Sequence, residues 1–289
     1  MANLKEIRLR ITSVNSTMQI TSAMKMVSAA KLKRAQDAII RMRPYSEKLQ
    51  EILANVSSTL DASEGKFSVQ RDVKNVLVVA ITSNRGLCGG FNNNVLKEVR
   101  NQVRNTYAGA NVKILSLGKK AGDAFRKTSH HFTEGFGPTP HAIFDNLTFE
   151  NASTIADIIM SQFEEGKWDK VIVVYNSFKN AAMQVVKAEQ FLPVQPVEGA
   201  SSKVDYIYEP NKEQILEDLI PRSLKVQLFK ALLDSFASEH GARMTAMHKA
   251  TDNAGALVKD LKITYNKARQ AAITNEILEI VAGADALKG

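Results

Sequence analysis

The sequence predicts an α/β domain inserted between two very long helices, one at each end, which pair antiparallel as a coiled coil. Three observations carry this. Residues 1–58 contain no glycine and repeat apolar residues three and four apart. Residues 221–289 repeat that spacing, with no proline after Pro221. Between them lie short apolar runs, partly β-branched and separated by helical patterns, the signature of βαβ units.

In the N-terminal segment Leu4, Ile7, Ile11, Val14 and Met18 set a near-heptad seam. The stripe then drifts through Ile20, Met24, Val27, Ala30 and Ala35 and resumes at Met42, Leu49, Ile52, Leu53 and Val56. Pro44 removes one backbone donor and is expected to kink the helix. Asn3 and Glu6 have the spacing of an N-terminal cap. In the C-terminal segment Pro221 suits a first helical turn. Met247, Ala250, Ala254, Leu257, Leu261, Thr264, Ala268 and Ala271 follow the same alternation, and Ile277, Ile280 and Val281 continue the apolar face. A helix over about 222–284 would be roughly 95 Å long at 1.5 Å per residue. Such a helix needs cover along much of its length, and the N-terminal helix is the available partner.

In the middle, 76–81, 112–117 and 171–175 read as buried parallel strands, with helices expected at 93–106, 119–128 and 149–165. The expected divisions are 1–58 for the first helix, 59–74 as linker, 75–195 as a Rossmann-like α/β domain, 196–220 as linker and foot segment, and 221–289 for the second helix.

The bulk numbers are those of ordinary soluble protein, 44% hydrophobic and 24% charged. No apolar run approaches the roughly 18 residues that span a bilayer. No secretory leader is evident at the N-terminus. A single cysteine, Cys88, excludes an internal disulfide and suggests a reducing compartment. The formal charge of +8 is concentrated at the two ends. Residues 1–58 carry ten Lys/Arg against four Asp/Glu, and 221–289 carry ten against seven, whereas 59–220 carry eighteen against nineteen. Basic ends suggest an acidic partner: nucleic acid, a membrane surface or an acidic protein surface.

Ser83-Asn84-Arg85-Gly86-Leu87-Cys88-Gly89-Gly90-Phe91-Asn92 joins the first strand to a helix, where α/β proteins bind phosphate. Its glycines fit neither G-x-G-x-x-G nor a P-loop. It reads as a tight connection needing positive φ, or as a protein-contact loop with Arg85 as its exposed charge. Cys88 has Arg85 nearby but no designated base, and reads as a packing residue. His130 and His131 would point to opposite faces of a strand; His240 and His248 lie two turns apart on a helix. None forms a metal cluster, so these histidines read as exposed or singly hydrogen-bonded. Glu164-Glu165 reads as a solvated helix end, and no G-x-S-x-G elbow exists. No catalytic constellation, cofactor site or metal site is apparent. Met18, Met24, Met26, Met42, Met244 and Met247 read as coiled-coil core, or as an adaptable sliding surface.

Four segments resemble one family. Ile20 to Gln36 (ITSAMKMVSAAKLKRAQ) resembles the N-terminal helix signature of γ subunits of F-type ATP synthases. The loop from Ser83 to Asn92 resembles that family's glycine-rich loop, and Ala242–Asn253 with Tyr265–Val281 resembles its C-terminal signature. The resemblance implies a non-catalytic central rotor stalk of a bacterial enzyme, peripheral at the cytoplasmic face of the inner membrane and binding no cofactor. A single copy would couple proton-driven rotation of the c-ring of Fo to conformational change in the catalytic β subunits. Its partners would be the α3β3 ring of F1, the ε subunit and the c-ring. Met24, Lys25, Arg85 and Cys88 would meet the acidic lever of β, and Arg269, Gln270 and Thr274 its catch region. Tyr206, Tyr208 and Glu209 would lie near ε and the c-ring. Two positions depart from the pattern: Asn84, where Asp is common, and Gly241, where Ala is common. The alternative is a basic coiled coil that binds nucleic acid, although a basic stripe on the α/β domain is not apparent.

Overall fold

A computed structural model describes residues 4–57, 66–137, 140–194 and 212–286. Residues 58–65 and 195–211, and with them part of the first expected linker and most of the second, lie outside the described residues, as does Asn3 of the expected cap. The chain divides into two compact units, one of Met1–Ser28 with Met244–Gly289 and the other of Ala29–Arg243.

The first helix, α1, runs Leu4–Ser57 with Pro44 inside it. Among its buried and half-buried positions one series keeps heptad spacing from end to end: 4, 7, 11, 14, 18, 21, 25, 28, 32, 35, 39, 42, 46 and 49, with Asn15, Ser22, Met24, Ala29, Gln36, Asp37 and Ala38 half-buried beside it. Of the expected drift, Met24 is half-buried and Ala35 buried, but Ala30 is exposed. Ile20 and Val27 are about 60% exposed, and Thr21 and Ser28 take the inward places. Small hydroxyl residues can do this because their side chains bond the preceding turn: Ser28 Oγ donates to Met24 O at 2.7 Å and Thr21 Oγ1 to Met18 O at 3.0 Å. Hydrophobicity alone pointed one residue to the side.

The last helix, α5, runs Lys212–Ala286, beginning about ten residues before its expected start, with Pro221 inside it. Within the first unit its inward face is Met247, Thr251, Ala254, Val258, Leu261, Tyr265, Ala268 and Ala272. Half of these were expected. The others stand one residue later than Ala250, which is itself half-buried, and than Leu257, Thr264 and Ala271, which are exposed; Val258 is buried. In this unit Arg8 Nη2 donates to the Tyr265 hydroxyl at 2.6 Å, and the Thr21 and Thr251 hydroxyls lie 2.8 Å apart. Between these contacts, Met18 Sδ stands 3.8 Å from where a Cβ on Gly255 would be. Moving 13 residues up α1, from 8 to 21, moves 14 residues down α5, from 265 to 251.

The second unit holds a five-stranded sheet in the order β3-β2-β1-β4-β5. The strands are β1 Asn75–Ile81, β2 Asn111–Leu117, β3 His131–Phe132, β4 Lys170–Phe178 and β5 Gln184–Leu192. β1 to β4 are parallel, and β5 is an antiparallel edge strand paired with β4. The intervening helices are α2 Phe91–Asn101, α3 Lys119–Phe125 and α4 Phe149–Glu164; residues 102–106 continue α2 as a π turn. Alternation along the strands gives the sheet two buried faces. Leu77, Val79 and Ile81 belong to one core with Ile159 and Phe163 of α4 and Leu228 and Leu232 of α5. Val76, Val78 and Ala80 belong to another with Val95 and Val99 of α2 and Phe125 of α3. Helices therefore cover both faces, and the strands read as continuous apolar runs.

Candidate functional site

The connections run from β1 outward to β2 and β3, then return across β1 to β4. The order reverses between β1 and β4, where open α/β sheets form a ligand crevice beyond the carboxyl ends of their strands. Here the chain fills that place itself. Asn176 of β4 donates Nδ2 to Phe91 O at 3.2 Å, and its carbonyl accepts the Ser238 hydroxyl of α5 at 3.0 Å.

The glycine-rich loop makes the turn at the end of β1. Leu87 and Gly89 both take positive φ, +63° and +58°. Asn92 ties the turn: its Oδ1 accepts from Ser83 N at 3.0 Å and its Nδ2 donates to Cys88 Sγ at 3.2 Å. The Ser83 hydroxyl donates to Arg85 O at 2.6 Å. Gly118, after β2, is required by a close approach, because a Cβ there would stand 2.1 Å from Thr82 O.

Beneath the loop, Arg243 of α5 donates Nη2 to Arg85 O and Gly86 O, both at 3.2 Å, and Nη1 to Glu239 Oε1 at 2.6 Å. A phosphate-binding loop turns amide N–H groups toward its ligand. This loop turns carbonyl oxygens toward a guanidinium, so the electrostatic sign is inverted and the cation belongs to the chain. Burial pushes the Glu239 carboxyl up from its ordinary value, against the opposing pull of Arg243. Burial, with Arg243 and Lys31, pushes His240 down to about 3, so its ring is neutral. His240 is thus a core residue packed edge-on to Phe236, with ring centroids 4.5 Å apart, rather than a solvated one. His248 is exposed, 3.6 Å from Asp252. His130 Nδ1 lies 2.8 Å from Val112 O, and His131 sits on β3.

Of the residues singled out in the sequence, Arg85 is exposed on the loop, whereas Cys88 is buried and burial raises its thiol pKa, which makes it a packing residue. Met24 and Lys25 are half-buried on α1; Arg269, Gln270 and Thr274 are exposed on α5, with Thr274 Oγ1 donating to Gln270 O at 3.0 Å. Met26 is exposed rather than core. Tyr206, Tyr208 and Glu209 lie outside the described residues. Asn84 uses both ends of its amide: Oδ1 accepts from Lys119 N and Nδ2 donates to His141 O. An aspartate could accept but not donate. Gly241 faces the β4–β5 turn, where a Cβ would come within 3.2 Å of Ala181 Cα. The Glu239–Arg243 clasp was not singled out as a site; the i, i+4 acid–base spacing on a long helix was its only signal. Among the described residues no group of three His, Cys, Asp or Glu side chains could hold a metal, and no helix is long and apolar enough to cross a membrane.

Residues 3–287 match the family model described as ATP synthase. The chain is 63% identical to the ATP synthase gamma chain of Flavobacterium johnsoniae, with all of both chains covered. It is 43% identical to that of Geotalea daltonii, again over the full length of both. The chain belongs to the ATP synthase gamma-chain family. Among solved structures, the central stalk and c-ring of Tetrahymena thermophila mitochondrial ATP synthase includes a chain 26% identical, with TM-score 0.58, covering 80% of this chain and 99% of that one. A rotor chain of Euglena gracilis mitochondrial ATP synthase, 22% identical with TM-score 0.65, covers 93% and 98% and shares the fold. As a gamma-chain family member, this protein is a rotor subunit of the ATP synthase central stalk. The nucleic-acid-binding alternative finds no support.

Proposed function

We propose that the chain is the single, non-catalytic shaft of an F1Fo complex, present at the cytoplasmic face of a bacterial membrane through that complex alone. Its terminal helices wind as an antiparallel coiled coil within the α3β3 ring, and its Rossmann-like domain meets the ε subunit and the c-ring. Proton-driven turning of the c-ring carries the shaft past the three β subunits, where ATP is made. An asymmetric shaft contacts each β differently, and only such a difference in contact free energy can bias their nucleotide states in sequence.

The observation that carries this is the antiparallel register of Arg8 with Tyr265 and Thr21 with Thr251. The exposed apolar residues of α5, Ile273, Ile277, Leu278, Ile280 and Val281, add to it, since an unpaired apolar face calls for a surrounding partner. Met24, Lys25, Arg85, Arg269, Gln270 and Thr274 contact β; with its thiol buried, Cys88 contributes by holding the loop. Tyr206, Tyr208 and Glu209 contact ε and the c-ring. No cofactor is bound. The test is reconstitution. The chain alone hydrolyses no ATP, and mixed with its α and β subunits it co-purifies and turns during hydrolysis. ATPase activity in the isolated chain, or failure to join α and β, contradicts the proposal.

A further inference from the structure

The part of α5 that crosses the sheet is seated on one narrow apolar stripe. Leu224, Leu228, Ala231 and Leu232 enter the core shared with β1 and α4. Apolar contact is non-directional, so a helix seated on such a stripe alone can roll about its own axis. The polar contacts of this stretch stand where they oppose that motion. At about 100° per residue, Gln227, Asp234, Ser238 and Gly241 lie about 95° to one side of the stripe, and Lys225 and Arg243 about 75° to the other. On the first side Gln227 Nε2 donates to Gln190 O of β5 at 3.4 Å, Asp234 Oδ2 accepts the Ser177 hydroxyl of β4 at 3.3 Å, and the Ser238 hydroxyl donates to Asn176 O at 3.0 Å. Gly241 completes that side against the β4–β5 turn, where Ala181 Cα is 3.2 Å from the place a Cβ would take. On the second side Lys225 Nζ pairs with Asp157 Oδ1 of α4 at 2.8 Å, and Arg243 holds Arg85 O and Gly86 O, both at 3.2 Å. All of these contacts lie within the second unit. From Lys225 to Arg243 they cover roughly 27 Å of helix.

We propose that these two rows brace α5 against rolling on the sheet, so that Gln227, Asp234, Ser238, Lys225 and Arg243 are positioning residues through which turning of the α/β domain reaches α5. Hydrogen bonds and ion pairs are directional, and a roll in either sense stretches one row. Each row therefore resists one sense, and the two together resist both. The inference rests on the shaft reading proposed above.

The test uses the chain assembled with its α and β subunits. Lys127→Cys, exposed beyond the end of α3, carries a bead; the one native cysteine, Cys88, is buried. The angular variance of the bead at a fixed nucleotide dwell reads the compliance between the subunit ring and the α/β domain. Ser177→Ala with Ser238→Ala weakens one row, and Lys225→Met weakens the other; Arg243 is kept because it also holds the glycine-rich loop. The three changes together should raise the variance by roughly twofold or more, because directional contacts are lost on both sides. Each row alone should have the smaller effect. The control Trp168→Phe removes the bond from Trp168 Nε1 to Gln162 Oε1 at 2.9 Å, elsewhere in the sheet unit, and should leave the variance unchanged. A triple variant as stiff as the parent overturns the inference. So does an equal rise in the control, which signals general softening. Failure of the triple variant to assemble also overturns it, since the apolar stripe remains to hold the fold. In each of these cases the rotor reading stands as long as the parent turns during hydrolysis; a parent that does not turn overturns both.

Discussion

The sheet unit and the terminal-helix unit use apolar residues in opposite ways. In the first, every strand residue from Val76 to Ile81 is fully buried, and the two faces of the sheet meet separate cores. In the second, the inward positions include Thr21, Thr251 and Ser28, while Leu9, Ile20, Met26, Val27, Ile263, Ile277, Leu278 and Ile280 are exposed. The central strands of the sheet unit hide their large apolar groups. Exposed large apolar groups beside small inward hydroxyl residues are the pattern that cover by other chains, as proposed above, would produce. Removing apolar groups should therefore cost folding stability in one unit and assembly in the other.

The largest expected effect is at Gly118. Replacing it with Ala places a Cβ 2.1 Å from Thr82 O at a φ of +140°, so the loop framework must shift. A loss of about 4 kcal/mol is expected by urea unfolding, combining overpacking with backbone strain. Next is Arg243→Ala, which leaves Glu239 buried without its partner and frees the loop carbonyls; a loss of about 3 kcal/mol is expected. Leu228→Ala, deep in the sheet unit, should cost about 3 kcal/mol, against less than about 0.5 kcal/mol for Ile277→Ala in the isolated chain. Equal losses at Leu228 and Ile277 would break the contrast between the units.

A smaller effect separates two helical glycines. Gly283→Ala meets open space and should stabilise by about 0.5 kcal/mol. Gly241→Ala meets the backbone of Ala181 at 3.2 Å, which cannot yield as a flexible side chain would, and should destabilise by about 1 kcal/mol. The finest test is titration. His240 is held neutral down to about 3, whereas in the unfolded chain it takes a proton near its ordinary value of 6.5. Its contribution is therefore present above 6.5 and lost as pH falls toward 3. Glu239 has the opposite sign, because a raised carboxyl favours the folded state at low pH. The difference in stability between the parent chain and His240→Gln should thus change steeply between pH 6.5 and 3 and be flat above 7.

The long helices, β1, β2 and β4 were legible because heptad spacing and β-branched runs are strong, local signals. β3 is two residues long, and β5, with Lys187 and Glu189 on an exposed edge, carries too little apolar pattern to stand out. The inward faces of α1 and α5 were read with the right period but partly the wrong residues. Thr21, Ser28 and Thr251 are inward because their hydroxyls are satisfied locally or by each other, which hydropathy does not register. The glycine-rich loop was found by position and composition. Its anchor was not, because Glu239 and Arg243 on a helix look like a solvated pair until the fold brings Arg85 O and Gly86 O to the guanidinium.

The central claim is that α1 and α5 form the axle of a rotary complex. Electron microscopy of the native complex tests it most directly. The account predicts one copy of this chain, with residues 4–28 and 244–286 running antiparallel along the axis of a six-membered ring. The same residues found outside that ring, or separated from each other, would contradict it.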